Sequence, residues 1–385
     1  MEFIMKNVKV MTVFGTRPEA IKMAPLAIEL RNNPNIDDIV CVTAQHREML
    51  DQVLDIFGIT PDYDLNIMQS RQTLTGITTR ALDGLDGAIK EAKPDIILVH
   101  GDTSTTFAGA LAAFYNQVPV GHIEAGLRTF DKYSPFPEEI NRRLTGQIAE
   151  LHFAPTVNNK NNLLREQVGE ENIFITGNTV IDALKTTVSD SYELCESMRD
   201  VDFKGKRVIL VTAHRRENMG QPFRNIFTAL KHLVTDFPDV EIVYPMHMNP
   251  AVREPATEIL GGLDRVKLIE PVDVRDLHNA MDRCYMVMTD SGGIQEEAPS
   301  LGKPVLVLRN ETERPEAVDA GTVKVAGVDE DTIYNMAHTL LTDKAEYEKM
   351  SHAVNPYGDG FASKRTAEAI LHYFRQQPRP NDFSV

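Results

Sequence analysis

Two carboxylates and one imidazole stand just beyond short apolar runs of the chain, Asp102 after residues 95–99, Glu124 after residues 118–123 and His214 after residues 207–212, and a third carboxylate, Glu138, lies in the proline-rich loop 133–143. Side chains of these types, gathered on loops, are suited to moving protons. A second chemistry is offered by Thr289-Asp290-Ser291-Gly292-Gly293-Ile294-Gln295-Glu296-Glu297-Ala298. Without Cβ atoms at Gly292 and Gly293 the backbone can approach a diphosphate closely, and the first N–H groups of a following helix would point at it. One turn further on, Glu297 can accept two hydrogen bonds from a ribose diol, so one short element would hold both phosphate and sugar of a nucleotide. Plainer readings stand beside these. Ser291 can cap a helix while the glycines close a turn, and Asp102 can cap the helix that follows it. Glu124 and Arg128, four apart, can form an exposed helical ion pair worth about 0.3–0.5 kcal/mol, and the charges of the Glu138 loop can be simply solvated. Arg215 and Arg216 fit poorly at a helix start unless an anion is present, because cations are disfavoured at that end of the dipole.

The bulk composition narrows the partners. A chain of 385 residues exceeds the usual size of one hydrophobic core, and 42% hydrophobic with 25% charged residues is the make-up of a globular protein. A net charge of −16 argues against general affinity for nucleic acid or acidic membranes. Cys41, Cys195 and Cys284 are far apart and match no metal-ligand spacing, which suits a reducing cytoplasm and buried thiols. No apolar stretch reaches the length of a membrane helix, and the first residues lack the pattern of a signal peptide.

Positioning elements follow from periodicity. Residues 8–14, 39–44, 95–99, 118–123, 151–154 and 173–176 are apolar runs separated by segments of helical spacing; residues 207–212, 240–244, 266–269, 285–288 and 305–308 repeat the arrangement. Runs apolar along their whole length and alternating with helices indicate parallel sheets covered on both faces. The polar stretch 186–206 divides them. Two doubly wound α/β domains are therefore expected, at residues 5–185 and 205–362, with a last helix near 363–377 returning to the N-terminal domain and a loose tail from Pro378. Neither first strand is followed by GxGxxG, so a dinucleotide cofactor is unsupported. In such sheets ligands bind beyond the carboxyl ends of the strands, which is where the polar residues collect.

Seven motifs in order, Gly15-Thr16-Arg17-Pro18-Glu19-Ala20-Ile21-Lys22-Met23-Ala24-Pro25, Val99-His100-Gly101-Asp102-Thr103, His122-Ile123-Glu124-Ala125-Gly126-Leu127-Arg128, Pro137-Glu138-Glu139-Ile140-Asn141-Arg142, Gly177-Asn178-Thr179-Val180-Ile181-Asp182, His214-Arg215-Arg216-Glu217-Asn218 and the stretch from Thr289, resemble the non-hydrolysing UDP-N-acetylglucosamine 2-epimerases of bacteria. The likeness runs from about residue 9 to about residue 369. It implies a GT-B fold, two Rossmann-like doubly wound parallel-sheet domains facing across a cleft. It also implies reversible conversion of UDP-GlcNAc to UDP-ManNAc by a cytoplasmic homodimer, with no metal and no other cofactor, supplying ManNAc for cell-surface polysaccharide. By the same resemblance Asp102, Glu124, Glu138 and His214 are catalytic positions, and Arg17, Lys22, Ser291, Gly292, Gly293 and Glu297 hold the substrate. Gln45, His46, Arg71, Gln72, Arg215 and His247 would hold UDP-GlcNAc as an allosteric activator. The rival readings are a GT-B glycosyltransferase, which needs an acceptor, a hydrolysing epimerase, which releases free ManNAc, and a nucleotide-sugar sensor, which leaves the carboxylates unexplained.

The implied chemistry asks for these residue types. The C2 proton of the sugar is not next to a carbonyl, so a carboxylate cannot remove it directly at neutral pH. Breaking the C1–O bond to UDP gives C1 oxocarbenium character and makes that proton removable, leaving a glycal and UDP. Such a route demands an anion clamp for the departing diphosphate and carboxylates near C1 and C2.

Overall fold

Only Lys9 in the strand Val8–Phe14 escapes full burial, the signature of a parallel strand covered on both faces rather than of an alternating one. The computed structural model describes residues 6–45, 47–69 and 72–385. Its first sheet contains β1 (Val8–Phe14), β2 (Ile36–Val42), β3 (Tyr63–Asp64), β4 (Ile96–His100), β5 (Val120–Ile123), β6 (Leu151–Ala154) and β7 (Ile173–Ile175), in the order β3-β2-β1-β4-β5-β6-β7. The second contains β8 (Arg207–Thr212), β9 (Val240–Pro245), β10 (Val266–Ile269), β11 (Met286–Thr289), β12 (Val305–Val307) and β13 (Val323–Val325), in the order β10-β9-β8-β11-β12-β13. Every pairing is parallel. The fold is of the GT-B type.

Each sheet reverses its winding once, between β1 and β4 in the first and between β8 and β11 in the second. Open α/β sheets bind ligands beyond the carboxyl ends of the strands at such points. The residues that follow β1, β4 and β5, and those that follow β8 and β11, are therefore the ones to inspect.

The chain divides into two compact units. One runs to Thr186 and resumes over Tyr357–Ser384; the other is Thr187–Pro356. The polar segment after Thr187 is anchored within its own unit: Asn279 Nδ2 donates to Thr187 O at 2.7 Å, and Cys195 N donates to Asp276 Oδ1 at 2.8 Å. The returning helix Ala362–Tyr373 packs on the helix Arg17–Asn32, placing Ala367, Ile370 and Leu371 in the first core beside Ala20, Ala24 and Ala27. Asp182 fixes its start by accepting from Ala362 N and Ser363 N at 3.1 and 2.8 Å.

Sequence pattern and structure part company in a few places. Strand β2 begins at Ile36, three residues before the apolar run, because it pairs with all of β1 and leaves Asp37 exposed. The edge strands β3 and β13 have two and three residues, too few to leave a periodic signal. Cys195 is half-buried rather than buried, its Sγ 3.2 Å from Ser197 Oγ. The tail is tied down, not loose: Ile175 N donates to Asp382 Oδ1 at 3.0 Å, Phe383 N donates to Ile175 O at 2.7 Å, and Phe383 is buried. A sheet edge satisfied in this way is no longer open for pairing. Among the described residues no helix is long and apolar enough to cross a membrane.

Candidate active site

In the first unit one buried carboxylate joins two strand-end loops. Glu19, one turn into the helix Arg17–Asn32, accepts from Gly15 N, Thr16 N and Thr16 Oγ1 at 3.0, 2.8 and 2.8 Å. Its other oxygen accepts from Thr103 Oγ1 at 2.7 Å. Burial pushes the Glu19 carboxyl up, against the pull of those hydrogen bonds. The loop after β1 and the loop after β4 are thus one assembly.

Asp102 rides on that assembly. The cap of the helix Ser104–Tyr115 is Thr103, whose Oγ1 accepts from Thr106 N at 3.1 Å, so Asp102 is not the cap. Instead its carboxylate pairs with Arg142, which is buried, and its carbonyl accepts from Asn141 Nδ2 at 2.9 Å. Behind it, His122 Nε2 lies 2.7 Å from Gly101 O. A carbonyl only accepts, so the ring carries its proton on Nε2 and pins the turn that presents Asp102.

Burial pushes His122 down to about 3, and His100 and His152, on the neighbouring strands, to about 4. All three are neutral in the folded chain near pH 7. An unfolded chain would protonate them near pH 6.5, so their contribution to stability is full above that pH and shrinks as pH falls toward the folded values. The stability gap between the wild type and His122→Gln should therefore narrow by about 2 kcal/mol between pH 7 and pH 5. Urea unfolding midpoints at the two pH values measure it; a constant gap would show that His122 does not titrate in this way.

Glu124 follows β5 in a left-handed backbone conformation, φ +62°, rare for a residue with a side chain. Its Oε1 pairs with Lys22 and accepts from Asn178 Nδ2 at 3.0 Å, and its Oε2 lies 3.8 Å from His100 Nε2. The exposed-pair reading with Arg128 fails on both counts. The segment is a turn, not a helix, and Arg128 is engaged at 2.8 and 2.7 Å by Glu166, whose carboxyl it holds below the usual range. Lys22, a substrate-binding position by the resemblance, lies alongside Glu124. Glu138 opens the helix Glu138–Ile148, half-buried, its side chain making no hydrogen bond or ion pair among the described residues. Its neighbour Glu139 is fully buried and accepts from Thr129 N and Phe130 N at 3.1 and 3.2 Å, fixing the loop in front of Glu138. Arg17 is the first residue of its helix. Gln45 Oε1 accepts from Thr105 Oγ1 at 3.2 Å, and Gln45 O accepts from Gln72 Nε2 at 3.2 Å, so these two glutamines adjoin. His46 and Arg71 lie outside the described residues.

The second unit repeats the device with Asp290. Its Oδ2 accepts from His214 N, Arg215 N and Asn218 Nδ2 at 2.8, 2.8 and 3.1 Å, binding the loop after β8 to the end of β11. His214 Nδ1 lies 3.6 Å from Asp290 Oδ1, and its ring stacks on His247 at 5.7 Å. Desolvation lowers the His214 pKa, against the pull of Asp290. Ser291 does not cap the next helix: the cap is Gly293, and Ser291 N donates to Thr289 Oγ1 at 2.9 Å. The helix itself, Ile294–Ser300, has seven residues with Pro299 inside it, so the turn contributes more than any helix dipole. A Cβ placed on Gly292 would lie 3.9 Å from the guanidinium nitrogens of both Arg215 and Arg314. Two guanidiniums beside a glycine turn, one of them also paired with Glu296, are a setting for an anion. Glu297 is held by His278 Nε2 at 3.3 Å, and His278 Nδ1 is 2.7 Å from Thr187 Oγ1.

Glu19, Arg142, Asn178, Asp290, His278 and Arg314 were not among the site residues picked from the sequence. Asp290 and Arg314 carried a usable signal, since both stand just past a strand, at the end of β11 and in the loop after β12. Each of the others has a partner 40 to 100 positions away.

Comparison with known proteins agrees with this arrangement. Residues 28–371 match the family model described as UDP-N-acetylglucosamine 2-epimerase. The UDP-N-acetylglucosamine 2-epimerase of Bacillus subtilis is 61% identical over 99% of this chain and 100% of its own. Among solved structures, the UDP-GlcNAc 2-epimerase of Neisseria meningitidis bound to UDP-GlcNAc is 50% identical with a TM-score of 0.84, over 95% of this chain and 100% of that one. A co-structure of S. aureus MnaA with UDP is 55% identical with a TM-score of 0.87, over 98% and 100%. With two parallel sheets, a carboxylate hub at each winding reversal and likeness along almost the whole chain, this protein belongs to the UDP-N-acetylglucosamine 2-epimerase family.

Proposed function

We propose that the chain interconverts UDP-GlcNAc and UDP-ManNAc without hydrolysis, by eliminating UDP to a 2-acetamidoglucal and adding it back. The observation that carries this reading is Glu124, a carboxylate at the end of β5 with Lys22 and Asn178 on one oxygen, in a chain of this family. Lys22 favours the ionised form, which is the form that removes a proton. Asp102 and Glu138 supply the further carboxyl groups that an elimination and its reversal require, one near C1 as the cation develops and one on the other face of C2. In the second unit Ser291, Gly292 and Gly293, with Arg215 and Arg314 beside the turn, are assigned to the diphosphate, together with Arg17. Glu297 is assigned to the ribose, and His214 to steadying UDP as it leaves.

Incubation with UDP-GlcNAc in heavy water tests the route. UDP-ManNAc should form with deuterium at C2, and recovered UDP-GlcNAc should carry it too; product unlabelled at C2, or free ManNAc in its place, would sink it. UDP-GlcNAc is also assigned a second role as activator, on Gln45, His46, Arg71, Gln72, Arg215 and His247. Linkage requires that it bind the active form more tightly than the inactive one. The same assay begun from pure UDP-ManNAc should then show a lag that added UDP-GlcNAc removes. The reading has the enzyme working in the cytoplasm as a homodimer, and its mass in solution decides the second point.

A further inference from the structure

His100, the last residue of β4, is buried, and neither nitrogen of its ring has a hydrogen-bond partner among the described residues. Buried polar atoms are nearly always paired, so two orphans on one ring call for an explanation. Its Nε2 lies 3.8 Å from Glu124 Oε2. A movement of about 1 Å would bring the two into hydrogen-bond reach. The groups held by the other oxygen, Lys22 and the Asn178 amide, are both donors.

Donors favour the carboxylate. If Glu124 takes up a proton during the reaction proposed above, that arrangement works against it, because a carboxylic acid must itself donate. We propose that His100 is a positioning residue that serves the protonated state of Glu124, its neutral Nε2 accepting the hydrogen bond of the Glu124 carboxyl. Each protonation state then has its own partners, Lys22 and Asn178 for the anion and His100 for the acid. No proton changes owner in this step.

Burial holds the imidazole neutral down to about pH 4, so its lone pair is available wherever the enzyme works. The charged or titratable groups that act on it are Glu124 after β5, which favours the imidazolium, and Lys22 from the helix Arg17–Asn32, which opposes it; His122 on β5 is neutral. The residue's own backbone also acts on the ring, less than Glu124 or Lys22 does.

The inference rests on Glu124 as an acid–base group, so the test reads the carboxyl itself as well as turnover. In 13C-glutamate NMR, the Glu124 signal is the one that Glu124→Gln removes. Its pKa should fall by about 1 unit in His100→Phe, equivalent to a tenfold weaker hold on the proton, while kcat falls about tenfold and KM stays near its wild-type value. His100→Gln, whose amide oxygen can accept the same hydrogen bond, should restore both within about threefold. An unmoved Glu124 pKa in His100→Phe, or a folded His100→Gln that restores neither value, overturns the proposal. Should His100→Phe not fold, the wild-type protein still decides: the ring 15N resonance of His100 must shift at the pH where Glu124 titrates, and a flat trace there overturns it. Failure of the underlying reading shows separately: normal turnover in Glu124→Gln removes Glu124 as an acid–base group, and wild-type product unlabelled at C2 in heavy water removes the elimination route.

Discussion

Replacing Glu124 by glutamine should lower the rate of C2 epimerisation by at least about 10²-fold, the usual contribution of a positioned acid–base group. The substitution is nearly isosteric, and the left-handed backbone at this position is indifferent to the exchange of an oxygen for nitrogen. Asn178 can still donate to the remaining oxygen. What is lost is the group assigned to take the proton, along with the ionic partner of Lys22, whose side chain is only 15% exposed. Some stability should go with it, because a shielded cation is left without its anion. UDP affinity measured by titration should stay close to normal, since the diphosphate is assigned to the Ser291-Gly292-Gly293 turn. Asp102→Asn should match it in rate while releasing Arg142. Near-normal turnover in either variant would remove that carboxylate from the mechanism, and a collapse of UDP binding in Glu124→Gln would mean that the rate loss has another origin.

The largest effect on folding is expected from Gly126→Ala. Two residues past Glu124, Gly126 has φ +87°, and a Cβ there would sit 2.2 Å from the backbone oxygen of Asn159. Asn159 cannot move aside: it is buried, and its Oδ1 accepts from Thr156 N and Thr156 Oγ1 at 3.1 and 2.8 Å in the cap of the helix Val157–Arg165. Backbone strain and overpacking together should cost at least about 3 kcal/mol. Gly220→Ala is the control, because Gly220 has nearly the same φ, +85°, with nothing within 4 Å of a Cβ. It should lose about 1–3 kcal/mol, from backbone strain alone, its ψ of −128° also being unfavourable for alanine. Equal urea midpoints for the two variants would show that the Asn159 contact relaxes at little cost.

Much of the fold was legible because fully buried parallel strands are unbroken apolar runs: β1, β4, β8 and β11 stand out in the sequence on that ground alone. The tail was not, since Phe383 is a single apolar residue among polar ones, and its value lies in pairing with Ile175 more than 200 positions earlier. The same distinction governs the site. Collecting polar residues past strand ends finds Asp102, Glu124, His214 and the Ser291 turn, because sheet topology alone decides where those ends gather. Which residue holds which is set by tertiary register. Arg128 could pair with Glu124 four positions away, yet its partner is Glu166, and Asp102 takes Arg142 from another helix. Glu19 and Asp290 are not legible as hubs because each takes two of its donors from backbone N–H groups, to which no residue type corresponds.

The helix Ala362–Tyr373 completes a core whose other residues lie before Thr186, with about 170 residues of the second unit made in between. At about 5–20 residues per second on the ribosome, the alanine face of the helix Arg17–Asn32, made about 330 residues before its cover, waits roughly 15–65 seconds for it. During synthesis the second unit, though later in the chain, is therefore the first that can close its core entirely. The first must persist as an open intermediate, so a nascent chain stalled before Tyr357 should be the species that chaperones and proteases meet.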